Sequence, residues 1–223
     1  KMIDNCFEVK GQIGVGGSSK VYFATDASGA EFAIKVIRTD RSYSKEKANY
    51  MILRENFVMD KLGKHPNLVQ SFACNTEGTL VLGTAQDGSE SNGIEIMYHA
   101  IENCANGALT RFIRSTGPVE ESVAMFGFSQ MVSALWFMHE KGFAHLDLKL
   151  DNILLDEYFN VKIADLGSAQ CVANTGGLFD QQVGTYKYMA PEVEAFQAGE
   201  KYDPLKADIY SLGVCLLLML TGE

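Results

Sequence analysis

The chain has 223 residues, 47% of them hydrophobic, and a formal net charge of −9; its sequence pI is near 5.0. That length and apolar content suit one soluble globular domain, or two lobes acting as one, with ample core. The acidic balance excludes a charge-driven nucleic-acid partner or anionic lipid surface, and no long Lys/Arg run breaks the rule.

The start, Lys1-Met2-Ile3-Asp4, lacks the apolar core of a signal peptide. Phe7 to Ile13 alternates apolar and polar residues and reads as a strand. A Gly/Ser cluster follows over 14–19, then a second strand at Val21-Tyr22-Phe23-Ala24. Ala27-Ser28-Gly29 reads as a turn into a third strand, Phe32 to Ile37. Over 45–62, Ile52, Leu53, Phe57, Val58 and Leu62 recur at helical spacing, and Gly63 suits the helix end. Two further strands are expected around Leu68–Cys74 and Ile94–Ile101. The polar stretch Thr84–Gly93 between them is expected to be an exposed loop.

After Gly107 the pattern turns helical. Residues 121–139 carry a wide apolar face that includes Phe126, Met131, Leu135 and Met138. Residues 144–172 read as short strands and loops. The stretch 205–220 is apolar nearly all round, which predicts a helix central to its lobe. Its longest apolar run, Leu212 to Leu220, falls short of the ~20 residues that cross a bilayer, so no membrane span is expected. Strands first and helices after argue for an α+β, two-lobed architecture.

Cys6, Cys74, Cys104, Cys171 and Cys215 form no C-x-x-C pair and read as free thiols of a reducing compartment. His65, His99, His139 and His145 show no metal-ligand spacing. With no targeting signal, these features lead to the expectation of a cytoplasmic protein.

Four segments carry chemistry. Gly14-Val15-Gly16-Gly17-Ser18-Ser19-Lys20-Val21, between two strands, suits either close approach of backbone amides to phosphate or a tight hairpin. It is not a Walker A loop, because no Gly-Lys-Ser/Thr follows at the required spacing. Lys35, in an apolar strand, is either solvated at an edge or paired with a buried anion; Glu55 on the following helix is an available partner. His145-Leu146-Asp147-Leu148-Lys149-Leu150-Asp151-Asn152 puts two acids, a lysine and an asparagine on one short loop before a strand. Asp165-Leu166-Gly167 follows, and Asp, Asn and a second Asp form an oxygen-donor set suited to Mg²⁺ bound with phosphates.

Taken in order with Ala190-Pro191-Glu192, these segments resemble the protein kinase pattern of glycine loop, strand lysine, catalytic loop, D-F-G and A-P-E. The resemblance covers nearly the whole chain. It implies a bilobal fold with an N-lobe over 1–102, a hinge over 103–107 and a partial C-lobe over 108–223. It implies ATP and Mg²⁺ as cofactors, protein substrates as partners, and transfer to serine or threonine. By similarity, Gly14 and Gly16 cover the phosphates, Ile13, Val21 and Ala33 belong to the ATP site, and Lys35 binds the α- and β-phosphates while paired with Glu55. Ile101 takes the gatekeeper position, and the Glu102 carbonyl and Cys104 amide would bond adenine. Asp147 takes the catalytic-base position, Lys149 would neutralise the transferred phosphate, and Asn152 and Asp165 would hold Mg²⁺. Thr185 lies in the substrate loop, and His145, Glu192 and Asp208 are structural, with Asp208 expected to hold the catalytic loop.

Departures from the pattern are Leu166 for Phe, Ser19 for the third glycine, and Leu146 for the arginine that normally binds a phosphorylated residue. The position where that phosphoresidue sits is Gln181, so both halves of the ion pair are missing. Activity without phosphorylation at that place is the resulting expectation. Asp151 stands where some kinases that favour upstream basic residues carry an acid; a solvated loop acid fits equally. The family continues for several helices beyond residue 222, with an arginine for Glu192, so a less stable fragment is expected. The competing readings are an ATP-binding pseudokinase or scaffold and, more remotely, a P-loop ATPase.

Overall fold

The computed structural model describes residues 1–17, 19–37, 44–82 and 93–222, and the side chains of all these except 174 and 175. The expected loop over 84–93 lies outside the described residues except for Gly93, as does Ser18 of the glycine loop. The chain divides into two compact units, Lys1–Lys61 with Gln70–Asn103, and Leu62–Val69 with Cys104–Glu223.

The first unit is an antiparallel barrel. Its strands are β1 (Met2–Ile3), β2 (Phe7–Val15), β3 (Ser19–Thr25), β4 (Glu31–Ile37), β5 (Ser71–Val81) and β6 (Ile94–Glu102), in the order β1-β2-β3-β4-β6-β5. Two-residue β1 closes it by pairing with both β2 and β5. Period-two alternation sorts side chains to two faces. Ile34, Ile96, Tyr98 and Ala100 face one way and form a core with Ile3, Phe7 and Ala24. Ile37 and Met97 face the other way, where helix α1 (Lys45–Leu62) lays Ala48 and Ile52 on them. Asp4, at φ 49°, ties the barrel's edge by accepting from Thr79 N (2.6 Å), Asn75 Nδ2 (2.7 Å) and Tyr98 Oη (2.8 Å).

The strand expected at Leu68–Cys74 begins later, at Ser71. Leu68 and Val69 belong to the second unit instead, where Val69 N bonds Ile163 O at 3.0 Å. Those two apolar residues are buried by the other unit's core, which is what made the segment look like strand.

The second unit contains strands β7 (Gly107–Ala108), β8 (Phe143–Ala144), β9 (Ile153–Leu155), β10 (Val161–Ile163) and β11 (Gln170–Cys171). Its helices are α2 (Leu109–Thr116), α3 (Glu121–Glu140), α4 (Pro191–Glu194) and α5 (Pro204–Thr221). Helix α3 buries Ala124, Gly127, Met131, Ala134 and Met138, one stripe at helical spacing. A Cβ at Gly127 would stand 3.4 Å from Met219 Cε, so the small residue lets α5 pack close.

Helix α5 is capped by Asp203, whose carboxylate accepts from the amides of Leu205 and Lys206, with Pro204 in its first turn. It is the one helix among the described residues long and apolar enough to cross a membrane by length and composition. Here Ala207, Asp208, Leu212, Cys215, Leu218 and Met219 form a buried stripe. Ile209, Tyr210, Leu217 and Leu220 are exposed, so the helix is covered on one side, not all round. The elements that cover it are α3, β8 and the turn Tyr186–Tyr188.

Candidate active site

In the first unit, Lys35 stands on β4 and Glu55 on α1. Lys35 Nζ lies 3.0 and 2.8 Å from the two Glu55 oxygens, and both side chains are largely shielded from water. Of the two environments that the sequence left open for Lys35, the structure shows the buried ion pair. Such a pair holds the ammonium at a fixed point on the sheet. Val21 and His99 are its register partners on the neighbouring strands. Ala33 pairs with Ile101 on β6 and is buried.

The glycine loop joins β2 to β3. Gly14 pairs with Val21, and Gly16 N bonds Ser19 O at 2.8 Å. The loop is therefore a closed hairpin at its base, with Ile13 and Val15 exposed beside it. At the end of β6, Glu102 N bonds Gln70 O at 2.9 Å, and Gln70 N bonds a Glu102 carboxylate oxygen at 3.2 Å. Cys104 lies in the second unit, buried, its carbonyl taken by Gly107 N at 3.0 Å.

In the second unit the loop after β8 is built around a carboxylate from α5. Asp208, 1% exposed, accepts from His145 N (2.7 Å), Leu146 N (2.8 Å) and His139 Nε2 (2.9 Å). An anion this deep is stable only with such donors around it. His145, fully buried, reaches Ala164 O through Nε2 at 3.1 Å and takes the Asp147 amide on Nδ1 at 3.2 Å. It thereby links the loop to the residue preceding Asp165.

Asp147 is the hub. One carboxylate oxygen accepts from the Thr185 hydroxyl at 2.7 Å, the other from Lys149 Nζ at 2.7 Å. Lys149 also donates to Thr185 Oγ1 at 2.9 Å. Asn152 Nδ2 donates to the Asp147 carbonyl at 2.8 Å and to its carboxylate at 3.3 Å. The Asn152 carbonyl takes the Ala164 amide at 2.9 Å. Asp165 follows with φ 61° and is exposed. Asn152 and Asp165 are thus hard oxygen donors on adjoining backbone, a fit for a cation that keeps waters and phosphate oxygens as its other ligands. No cluster of three or more His, Cys, Asp or Glu side chains able to hold a metal unaided occurs among the described residues.

Leu146 also has positive φ, 65°, and its side chain is buried with Phe179, Ala190, Val193, Tyr202 and Ala207. Leu166 is buried as well, and Glu192 is exposed in the first turn of α4. Gly184, which the sequence places only as the first residue of the segment leading to Ala190-Pro191-Glu192, stands at φ 121° beside Leu146. Sequence reasoning gave no role to Ser71 and Asn56, or to His99 beyond excluding metal spacing. A histidine set in the apolar run of β6 was the available signal.

The protein kinase domain family model matches residues 7–223. CBL-interacting serine/threonine-protein kinase 15 of Arabidopsis thaliana is 36% identical over 219 residues, 97% of this chain and 47% of that protein. CBL-interacting serine/threonine-protein kinase 17 of the same plant is 33% identical over 97% of this chain and 46% of its own length. CBL-interacting protein kinase 11 of Oryza sativa subsp. japonica is 33% identical over 97% of this chain and 39% of its own length. The chain therefore spans at most about half the length of these relatives, and it belongs to the protein kinase domain family.

Proposed function

We propose that the chain is the catalytic domain of a serine/threonine protein kinase, transferring the γ-phosphate of Mg·ATP to serine and threonine hydroxyls of protein substrates. The observation that carries this reading is the Thr185 hydroxyl, held between the Asp147 carboxylate and the Lys149 ammonium. A hydroxyl in that position has its proton on a base and its oxygen beside a cation, the arrangement an acceptor needs.

In the reaction so proposed, the acceptor oxygen bonds to Pγ as the bond from Pγ to the ADP oxygen breaks. Asp147 accepts the acceptor's proton and Lys149 compensates charge on the moving phosphoryl. Lys35, steadied by Glu55, and the amides of the glycine loop hold the remaining phosphates. Mg²⁺ bound by Asn152 and Asp165 would add electrostatic compensation of phosphate charge. The backbone around Ala33, Ile101, Glu102 and Cys104 is assigned to adenine.

The same reading includes independence from phosphorylation in the segment ahead of Thr185. Leu146 offers no charge for a phosphate and is buried among apolar groups. The segment is held without one. Phe179 and Tyr202 exchange backbone bonds of 2.8 and 3.0 Å, and Tyr202 Oη donates to Gln181 O at 2.9 Å. Phosphatase treatment of active protein is expected to leave its rate unchanged; complete loss tied to residues 168–185 would overturn this.

The test of the whole reading is transfer of labelled γ-phosphate from Mg·ATP to a mixed Ser/Thr/Tyr peptide library, with Asp147→Asn as control. Label on Ser/Thr that drops by ~10²–10⁴-fold in the control is expected. Measurable Mg·ATP binding with no transfer would make the protein a pseudokinase.

A further inference from the structure

Helix α1 meets the sheet through two kinds of contact. Toward its N-terminal half, Ala48 and Ile52 rest on Ile37 and Met97. Beyond them, one residue past Glu55, the contact becomes polar. Ser71 Oγ on β5 donates to Asn56 Oδ1 at 3.1 Å, and the same oxygen lies 2.8 Å from His99 Nε2 on β6.

The proton count fixes the direction of this chain. A serine hydroxyl has one hydrogen, and it goes to Asn56. Ser71 Oγ must therefore accept from His99, whose proton sits on Nε2. Nδ1 is then a bare acceptor, fully buried, with no hydrogen-bond partner among the described residues. Burying an unsatisfied acceptor is unfavourable, so an apolar residue would be the cheaper filling. The polar chain supplies direction, which apolar contacts lack: a hydrogen bond weakens steeply when its partners slide apart.

His99 is the register partner of Lys35, so the two side chains share a face of the sheet. Asn56 is the neighbour of Glu55 on the helix. The chain thus joins the strand beside Lys35 to the helical turn that carries its carboxylate. We propose that His99, Ser71 and Asn56 are positioning residues that fix α1 on the sheet so that Glu55 meets Lys35 through both oxygens. The inference deepens the kinase reading and rests on it for the use made of Lys35.

The experiment compares the native full chain with Ser71→Ala, Ser71→Thr and Asn56→Ala, using Glu55→Gln as reference. Lys35 acylation by an N-hydroxysuccinimide ester is followed by mass spectrometry, and KM for Mg·ATP and kcat are measured on a peptide. Ser71→Ala and Asn56→Ala are expected to speed Lys35 acylation about fivefold, toward the Glu55→Gln rate, and to raise KM by a similar factor, as loss of one hydrogen bond commands. Ser71→Thr, which keeps the hydroxyl, is expected to restore both. Native acylation rates in both alanine variants, whatever their melting temperatures, would overturn the proposal. A protein that transfers no phosphate would refute the kinase reading alone, because the acylation arm needs no turnover.

Discussion

A Cβ added to Gly184 would lie 2.8 Å from the carbonyl oxygen of Leu146, closer than any real Cβ contact. Gly184 also has φ 121°, which side chains rarely adopt. The residue after it is Thr185, bonded to Asp147. Gly184→Ala should therefore destabilise by about 1–3 kcal/mol and separate Thr185 from Asp147, lowering kcat. Urea midpoints and peptide kinetics check this. Gly213→Ala on the exposed side of α5, where a Cβ meets nothing, should instead be neutral or stabilise by about 0.5–1 kcal/mol.

Leu146→Arg restores the family's residue and should harm this protein. The position is enclosed by Phe179, Val193 and Tyr202, so an arginine there is an unpaired buried charge. A loss of roughly 3 kcal/mol or more is expected, read as a lower urea midpoint. A variant as stable as native would show that the side chain escapes the cluster.

Asp208→Asn exchanges one acceptor oxygen for an amide donor. Three donors, the amides of His145 and Leu146 and the His139 ring, then compete for one oxygen. The expected cost is about 1–3 kcal/mol, together with a fall in kcat because the loop carrying Asp147 loses its anchor. Hydrogen exchange at the His145 and Leu146 amides should accelerate in parallel; unchanged exchange would contradict the anchoring role.

His99 makes stability depend on acidity. Burial, reinforced by the nearby Lys35 ammonium, lowers its pKa from 6.5 to about 4. Between those values the unfolded chain binds the proton and the folded chain does not, so stability rises with pH in that window. The contribution is complete above about 6.5 and is lost as pH falls toward 4, by up to roughly 3 kcal/mol. Melting temperatures from pH 7.5 to 4.5 should show a loss that His99→Leu largely removes.

The sequence made β2 legible through its alternation and α1 through the spacing of Ile52, Val58 and Leu62. It misled at Leu68 and Val69, which are buried and pair by backbone with Ile163 inside the second unit. Two-residue β1 has no periodicity to read, and its role comes from pairing with Val81 and Leu80 far along the chain. Lys35 with Glu55 as its available partner, and Asp147, Asn152 and Asp165 as an oxygen-donor set, are legible from residue chemistry, and the kinase resemblance supplies their roles. The structure adds the Lys35–Glu55 pair and the Asp147–Thr185 bond as distances. The Asn56–Ser71–His99 chain was not legible, because three polar residues spread over 44 positions share no local pattern until β5 and β6 align.

Under the proposed kinase reading, the hydroxyl of Thr185 competes with those of substrates. Because it is tethered to the chain, it is present at an effective concentration no free peptide matches. An incoming serine must exchange with it, trading one hydroxyl for another on the same carboxylate and ammonium, with little net gain in binding. Under the kinase reading proposed above, Asp147 and Lys149 would contribute to the rate of transfer far more than to the grip on the acceptor, and selectivity among peptides would fall to the surfaces that flank the hydroxyl.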